Sequence, residues 1–171
     1  MTGQRIKLTT HFGERDRVGK RALGDQLLRI CERHDVRDAI LLRGAEGFGQ
    51  MHHLHTDRLL SLSDDLPVVA TALVRAERID AMLADVLAVQ RRGLISLERA
   101  RVAGRDPAAL GSLPGGPEDL KLTVHVGRRE RVGVRPAFVA VCALLQEHAI
   151  AGATVLLGVD GLRDGRRARA R

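Results

Sequence analysis

Residues Lys7 to Gly47 can be laid on Lys121 to Gly161, 114 positions on, without a gap, and fifteen of the forty-one aligned pairs are identical. The matches gather where backbone freedom or charge is special: His11 with His125, Gly13 with Gly127, Arg15 with Arg129, Arg17 with Arg131, Gly19 with Gly133, Arg21 with Arg135, Gly44 with Gly158 and Gly47 with Gly161. Self-similarity at a fixed offset marks the duplication of one ancestral domain. The two copies are unequal, because the first continues well past Asp57, the counterpart of Arg171. The expected organisation is a complete domain over 1–103, a Pro/Gly-rich linker over 104–118 and a partial second copy over 119–171 with a basic, frayed end.

Ile6, Leu8, Thr10 and Phe12 alternate with Lys7, Thr9 and His11, the period-two pattern of a half-buried strand, and Leu120, Leu122, Val124 and Val126 alternate in the same way. Leu23, Leu27, Ile30, Cys31 and His34 fall on one helical stripe, which Ala137, Val141, Leu144, Leu145 and His148 repeat position for position. Ala39–Leu42 and Ala153–Leu157 read as second strands. Only the first copy goes on: a long glycine- and histidine-bearing excursion over 44–65, an apolar strand over 66–74 that carries Pro67 at its start or on an edge, a helix through Ile79, Met82, Leu83, Val86 and Leu87, a C′ glycine at Gly93 and a last strand over 94–102. The order βαββαβ predicts an α+β, ferredoxin-like domain: a four-stranded antiparallel sheet with both helices on one face. The second copy supplies βαβ alone. The other sheet face, carrying Lys7, Thr9 and His11, is then wet or packed against other subunits.

Composition narrows the function classes. No run of eighteen apolar residues exists and Met1–Lys7 lacks a hydrophobic signal core, so the expected address is cytoplasmic. Cys31 and Cys142 lie on apolar helical patterns and read as buried, reduced thiols. The net charge of +7 comes from an arginine-rich set, twenty-five Arg to three Lys, and Arg163–Arg171 alone contributes +4. With no Trp or Tyr and only Phe12, Phe48 and Phe138, the stacking platforms for single-stranded nucleic acid are missing, which argues against that partner. No serine sits in a nucleophile elbow and no glycine-rich run ends in Lys-Ser or Lys-Thr, so the chain reads as a non-enzyme.

Four separated motifs stand out: Gly13-Glu14-Arg15-Asp16-Arg17 with Gly19, Arg43-Gly44-Ala45-Glu46-Gly47-Phe48-Gly49, His53-Leu54-His55, and Leu62-Ser63-Asp64-Asp65-Leu66-Pro67. In this order they resemble the bacterial and archaeal family catalogued as domain of unknown function one-ninety, a relative of the PII (GlnB-like) signalling proteins, over Arg5 to about Val102. The second copy resembles the first half of that family but carries Arg128, Glu130 and Leu162 in place of Glu14, Asp16 and Phe48. The resemblance implies a ferredoxin-like protomer that trimerises with its sheets towards the threefold axis. It also implies small-molecule sites in the clefts between protomers, adenine nucleotides as the usual ligands of the superfamily, and a ligand-responsive, partner-binding loop, here 44–65. No further cofactor is expected.

The candidate ligand-binding residues are Gly13, Glu14, Asp16, Arg17, Arg43, Gly44, Gly47, Phe48, Gly49, His53, His55, Arg99 and Arg101. Glycines at a strand end let backbone N–H groups close on a phosphate, or simply permit a turn. Glu14, Asp16 and Arg17 either contact a ligand or form ordinary ion pairs. Arg99 and Arg101 alternate on the last strand and suit a phosphate presented by a neighbouring protomer. His52, His53 and His55 lack the further donors that complete a zinc site, so no metal is expected. The alternatives to a ligand sensor are a constitutive assembly module and, through Arg163–Arg171, a nucleic-acid binder.

Overall fold

The structure, a computed structural model, describes residues 5–48, 54–56, 65–103 and 121–168. In chain order the strands and helices are β1 (Arg5–Gly13), β2 (Arg17–Val18), β3 (Arg21–Ala22), α1 (Leu23–Arg33), β4 (Ala39–Arg43), β5 (Glu46–Phe48), β6 (Leu54–Thr56), β7 (Pro67–Arg75), α2 (Ile79–Val89), β8 (Leu94–Ala100), β9 (Arg131–Val132), β10 (Arg135–Pro136), α3 (Ala137–Glu147), β11 (Gly158–Arg163) and β12 (Arg166–Arg167). They fall into two compact units, one within 1–111 and 157–171, the other within 112–156.

The first unit is built on one antiparallel sheet in the order β12-β11-β4-β7-β1-β8. Its four strands from the first copy, β4-β7-β1-β8, have the order and directions of a ferredoxin-like βαββαβ domain, as the hydrophobic periods predict. Leu8, Thr10 and Phe12 of β1 are buried and His11 is exposed, as the alternation predicts, although Thr9 of the opposite face is buried as well. The buried face joins Leu41 of β4 and Val68, Ala72 and Val74 of β7 to the stripe Leu23, Leu27, Ile30 and Cys31 of α1 and to Met82 and Val86 of α2. Leu28, Ile30, Met82, Val74 and Val86 are the most deeply enclosed. Burying each such side chain stabilises the fold by roughly 1.5–3 kcal/mol. The opposite face is mixed: Lys7 pairs with Glu98 at 2.7 Å, and Thr9 stands between Thr71 and Ser96 in register.

Local chemistry sets the element ends. Pro67 opens β7, where a missing N–H is tolerated even though this strand is central to the sheet. Gly93 does not cap α2, which ends at Val89; at φ +91° it forms the turn into β8, and a Cβ there would strike the His11 carbonyl oxygen. That carbonyl accepts a 3.1 Å hydrogen bond from Gln90 Nε2.

In the second unit, β9 and β10 form a short hairpin leading into α3. Each feature recurs from the first copy at the same offset. β9, β10 and α3 begin 114 residues after β2, β3 and α1; Gly19 and Gly133 have φ +60° and +59°; Asp35 and Ala149, two past each helix end, have φ 52° and 53°.

Three expectations for the second copy differ from what is found. The alternating segment ending at Val126 forms no strand over 121–127, and Leu122 is 71% exposed. Its first-copy counterpart, β1, is held between β7 and β8, whereas no second-copy equivalents of those strands occur among the described residues. Alternation sets faces, but a strand also needs a ladder partner. The strand expected over 153–157 instead begins at Gly158, where β4 provides the partner. Of the end expected to fray, Arg166–Arg167 pairs with β11.

Candidate functional site

Three pieces of chain meet at the end of the sheet where β1 finishes, β4 finishes and β7 starts. The turn after β1 is closed by backbone hydrogen bonds from Asp16 N to Gly13 O (3.1 Å) and from Leu23 N to Asp16 O (2.8 Å). The Asp16 carboxylate accepts from Gly13 N at 3.0 Å. The carboxylate reaches back three residues, one of the local side-chain-to-backbone bonds that favour Asp in turns. In the second copy Gly127 N donates to Glu130 Oε2 at the same 3.0 Å, so Glu130 fills the role of Asp16 despite its extra methylene.

The turn is tied to the neighbouring strands from both sides. Glu14 N donates to Leu66 O at 2.9 Å and Arg15 N donates to Asp65 Oδ1 at 2.7 Å, while Gly44 N donates to Pro67 O at 2.7 Å. Arg43 closes the cluster by donating Nη2 and Nε to Glu14 Oε2 at 2.8 and 3.1 Å. Both side chains of this pair are about half exposed, so its net contribution is small, about 0–1 kcal/mol. A weakly held arginine at a solvent-facing strand end can exchange its carboxylate for an anionic ligand at little cost.

Of the candidates, Gly13, Glu14, Asp16, Arg43 and Gly44 therefore stand together at this end, with Arg17 exposed on β2 next to the turn. Gly47, Phe48 and His55 lie on the β5–β6 hairpin that follows, where Gly47 pairs with His55 and Phe48 with Leu54. Gly49 and His53 lie outside the described residues. Arg99 is opposite Ile6 and Arg101 lies just beyond β8, whereas the end of β8 near the cluster is Leu94, opposite His11. Ile6 and Gly13 are seven steps apart along β1, which at ~3.3 Å per residue puts Arg99 roughly 23 Å from the cluster. These two arginines belong to the opposite end of the sheet.

Sequence reasoning passed over Asp65, whose carboxylate holds Arg15 N, although it lies inside one of the four motifs. Among the described residues no group of three or more His, Cys, Asp or Glu is arranged to hold a metal ion. His34 ends α1, and its Nε2 lies 2.7 Å from Asp85 Oδ2; this hydrogen bond, with Arg33 nearby, holds the Asp85 carboxyl below its usual range. Burial pushes the Cys31 thiol up to about 12. No described helix is long and apolar enough to cross a membrane.

The solved structures similar to this chain include two of one protein. One is CPII, a nitrogen regulatory PII-like protein from Thiomonas intermedia K12, bound to ADP, AMP and bicarbonate, with 16% identity, 60% of this chain and 91% of that chain covered, and a TM-score of 0.45. The other is CPII bound to ADP and bicarbonate, with 16% identity, the same coverage and a TM-score of 0.43. The family model for DUF190, an uncharacterised ACR family, matches residues 5–102 and again residues 119–171. The chain belongs to the DUF190 family.

Proposed function

We propose that this protein is a non-catalytic, PII-like regulator that binds an adenine nucleotide or small anion beside the Gly13–Arg17 turn, in a cleft between protomers of a homotrimer, and signals to a protein partner through 44–65. It acts in the cytoplasm as a tandem duplication, with the complete copy over 1–103 joined through 104–118 to a partial copy over 119–171. The observation that carries this reading is the Glu14–Arg43 bridge. It ties the β1 turn to the strand end from which 44–65 departs, so an anion that takes Arg43 from Glu14 alters the root of that segment. The backbone bonds of Glu14 and Arg15 to Leu66 and Asp65 anchor its other end to the same turn. A ligand there addresses both ends at once, which is the differential contact that a population shift requires.

The test is a thermal-shift series with ATP, ADP, AMP and bicarbonate, each with and without Mg²⁺, on the wild type and on Arg43→Ala and Arg17→Ala. A ligand at 100 times its Kd adds about 2.7 kcal/mol. For a chain of this length that corresponds to a rise of roughly 5–10 °C. A rise in the wild type that shrinks in both variants supports the reading. Identical responses in all three proteins remove it, and a flat panel from a folded oligomer favours a constitutive assembly module. Binding of nucleic acid through the arginine-rich end is disfavoured, because Arg167 is engaged by Asp25 and Asp160.

A further inference from the structure

β11 of the second copy lies along the outer edge of β4, with β12 outside it, extending the first-copy sheet. Gly158, Asp160, Gly161 and Leu162 pair with Leu42, Leu41, Ile40 and Ala39, and Leu162 is 4% exposed within the main core. The seat makes specific demands on the hairpin. A Cβ at Gly161 would collide with the Ala39 carbonyl oxygen, and one at Gly158 would come within 2.8 Å of Ile40 Cδ1. Gly165 N donates to Arg37 O at 2.9 Å. Arg167 joins the β11–β12 hairpin to α1 through Asp25 while also bonding Asp160, and these partners push its pKa up.

The same demands are met elsewhere in the sequence. Gly44, Gly47 and Phe48 stand at the positions of Gly158, Gly161 and Leu162, and Glu46–Phe48 already pairs as a strand with β6, whose return begins two residues later than the counterpart of β12. β5 thus has a glycine where Ala39 O must be cleared and an apolar residue where Leu162 enters the core. It differs at the clamp, since His53 stands in the sequence where Arg167 stands. An unpaired β4 edge is a ready template for another strand. A hairpin tethered in the same chain holds that edge at high effective concentration.

We propose that the β4 edge is a docking site for the hairpin of this repeat, filled from within the chain by β11–β12, and that the β5–β6 hairpin of a second copy of this chain is the other occupant it accepts. Arg167 sets the preference for the internal hairpin. The pairing requires no ligand, so it stands or falls independently of the regulator reading.

The register specifies the test. Phe48 of one chain would lie opposite Ala39 of another, as Leu162 lies opposite Ala39, and directly opposed strand residues are close enough for a disulfide. Two differently tagged full-length populations, one with Ala39→Cys and one with Phe48→Cys, are refolded together and oxidised without ligand. This is done in the wild-type background and again with Gly161→Val, which unseats β11. The expected result is a reducible heterodimer whose yield rises at least tenfold with Gly161→Val. Should Gly161→Val fail to fold, Arg167→Glu takes its place as the unseating change. No cross-link above that given by the native cysteines, or the same yield whether or not β11 is unseated, overturns the proposal.

Discussion

Replacing Asp16 by Ala removes the carboxylate that accepts from Gly13 N while leaving the backbone bonds at Asp16 N and Asp16 O in place. A hydrogen bond to a charged acceptor contributes about 1.5–3 kcal/mol. Asp16 is only partly buried, so water replaces some of that and the expected loss is about 1–2 kcal/mol. For a protein of this length it corresponds to a fall in Tm of roughly 3–6 °C, read by calorimetry at neutral pH. Glu130 makes the equivalent bond to Gly127 N at the same distance, so Asp16→Glu should keep more than half of the stability that Asp16→Ala loses. The turn also carries Glu14 and Arg15, and Asp16→Ala should therefore weaken any nucleotide-induced rise in Tm as well. A Tm for Asp16→Ala within 1 °C of wild type, or an Asp16→Glu variant as unstable as Asp16→Ala, would refute the reasoning about how this turn is held.

Other expectations follow from the core and the helix ends. At pH 8 iodoacetamide should leave Cys31 unmodified in the native protein, because its thiol is pushed up to about 12 by burial, and should label it in denaturant; mass spectrometry of the peptide decides. Gly93→Ala forces a Cβ against the His11 carbonyl at φ +91° and should lower stability by more than the ~1–2 kcal/mol of the left-handed conformation alone, seen as an earlier urea midpoint. Asp85 titrates below its usual value because of His34, so its contribution is present above the unfolded value of ~3.9 and is lost as pH falls through the lowered folded value. Asp85→Asn should flatten the acid side of the Tm–pH curve, whereas an unchanged curve would show that the His34 bond does not persist in solution.

Periodicity placed much of the core of the first copy, but it missed Leu28 and put the exposed Leu87 on the inward stripe of α2. The Leu23, Leu27, Ile30, Cys31 stripe and the Leu8, Phe12 alternation both point inward as their spacing predicts, and the βαββαβ order then leaves few ways to close the sheet. What local pattern does not encode is the choice of partner. Val124 and Leu162 both sit in apolar, strand-compatible stretches, yet Val124 is 50% exposed outside any strand and Leu162 is core, because only the latter found an edge at β4. The candidate site divides for the same reason. Arg99 and Gly13 are both at strand ends, but β8 runs antiparallel to β1, which sends them to opposite ends of the sheet. Asp65 went unassigned because its role, receiving Arg15 N across fifty residues, depends on the β1–β7 register.

A nucleotide or small anion bound here should engage the β1 turn and the end of β4 together. Hydrogen exchange followed by mass spectrometry, with and without ADP, reads both segments in the full chain. Slower exchange is expected in peptides covering 13–17 and 43–48 with ADP, with that protection lost in Arg43→Ala. Unchanged exchange in both segments at saturating ADP, AMP and bicarbonate, or protection confined to the opposite end of the sheet around Arg99, would contradict it.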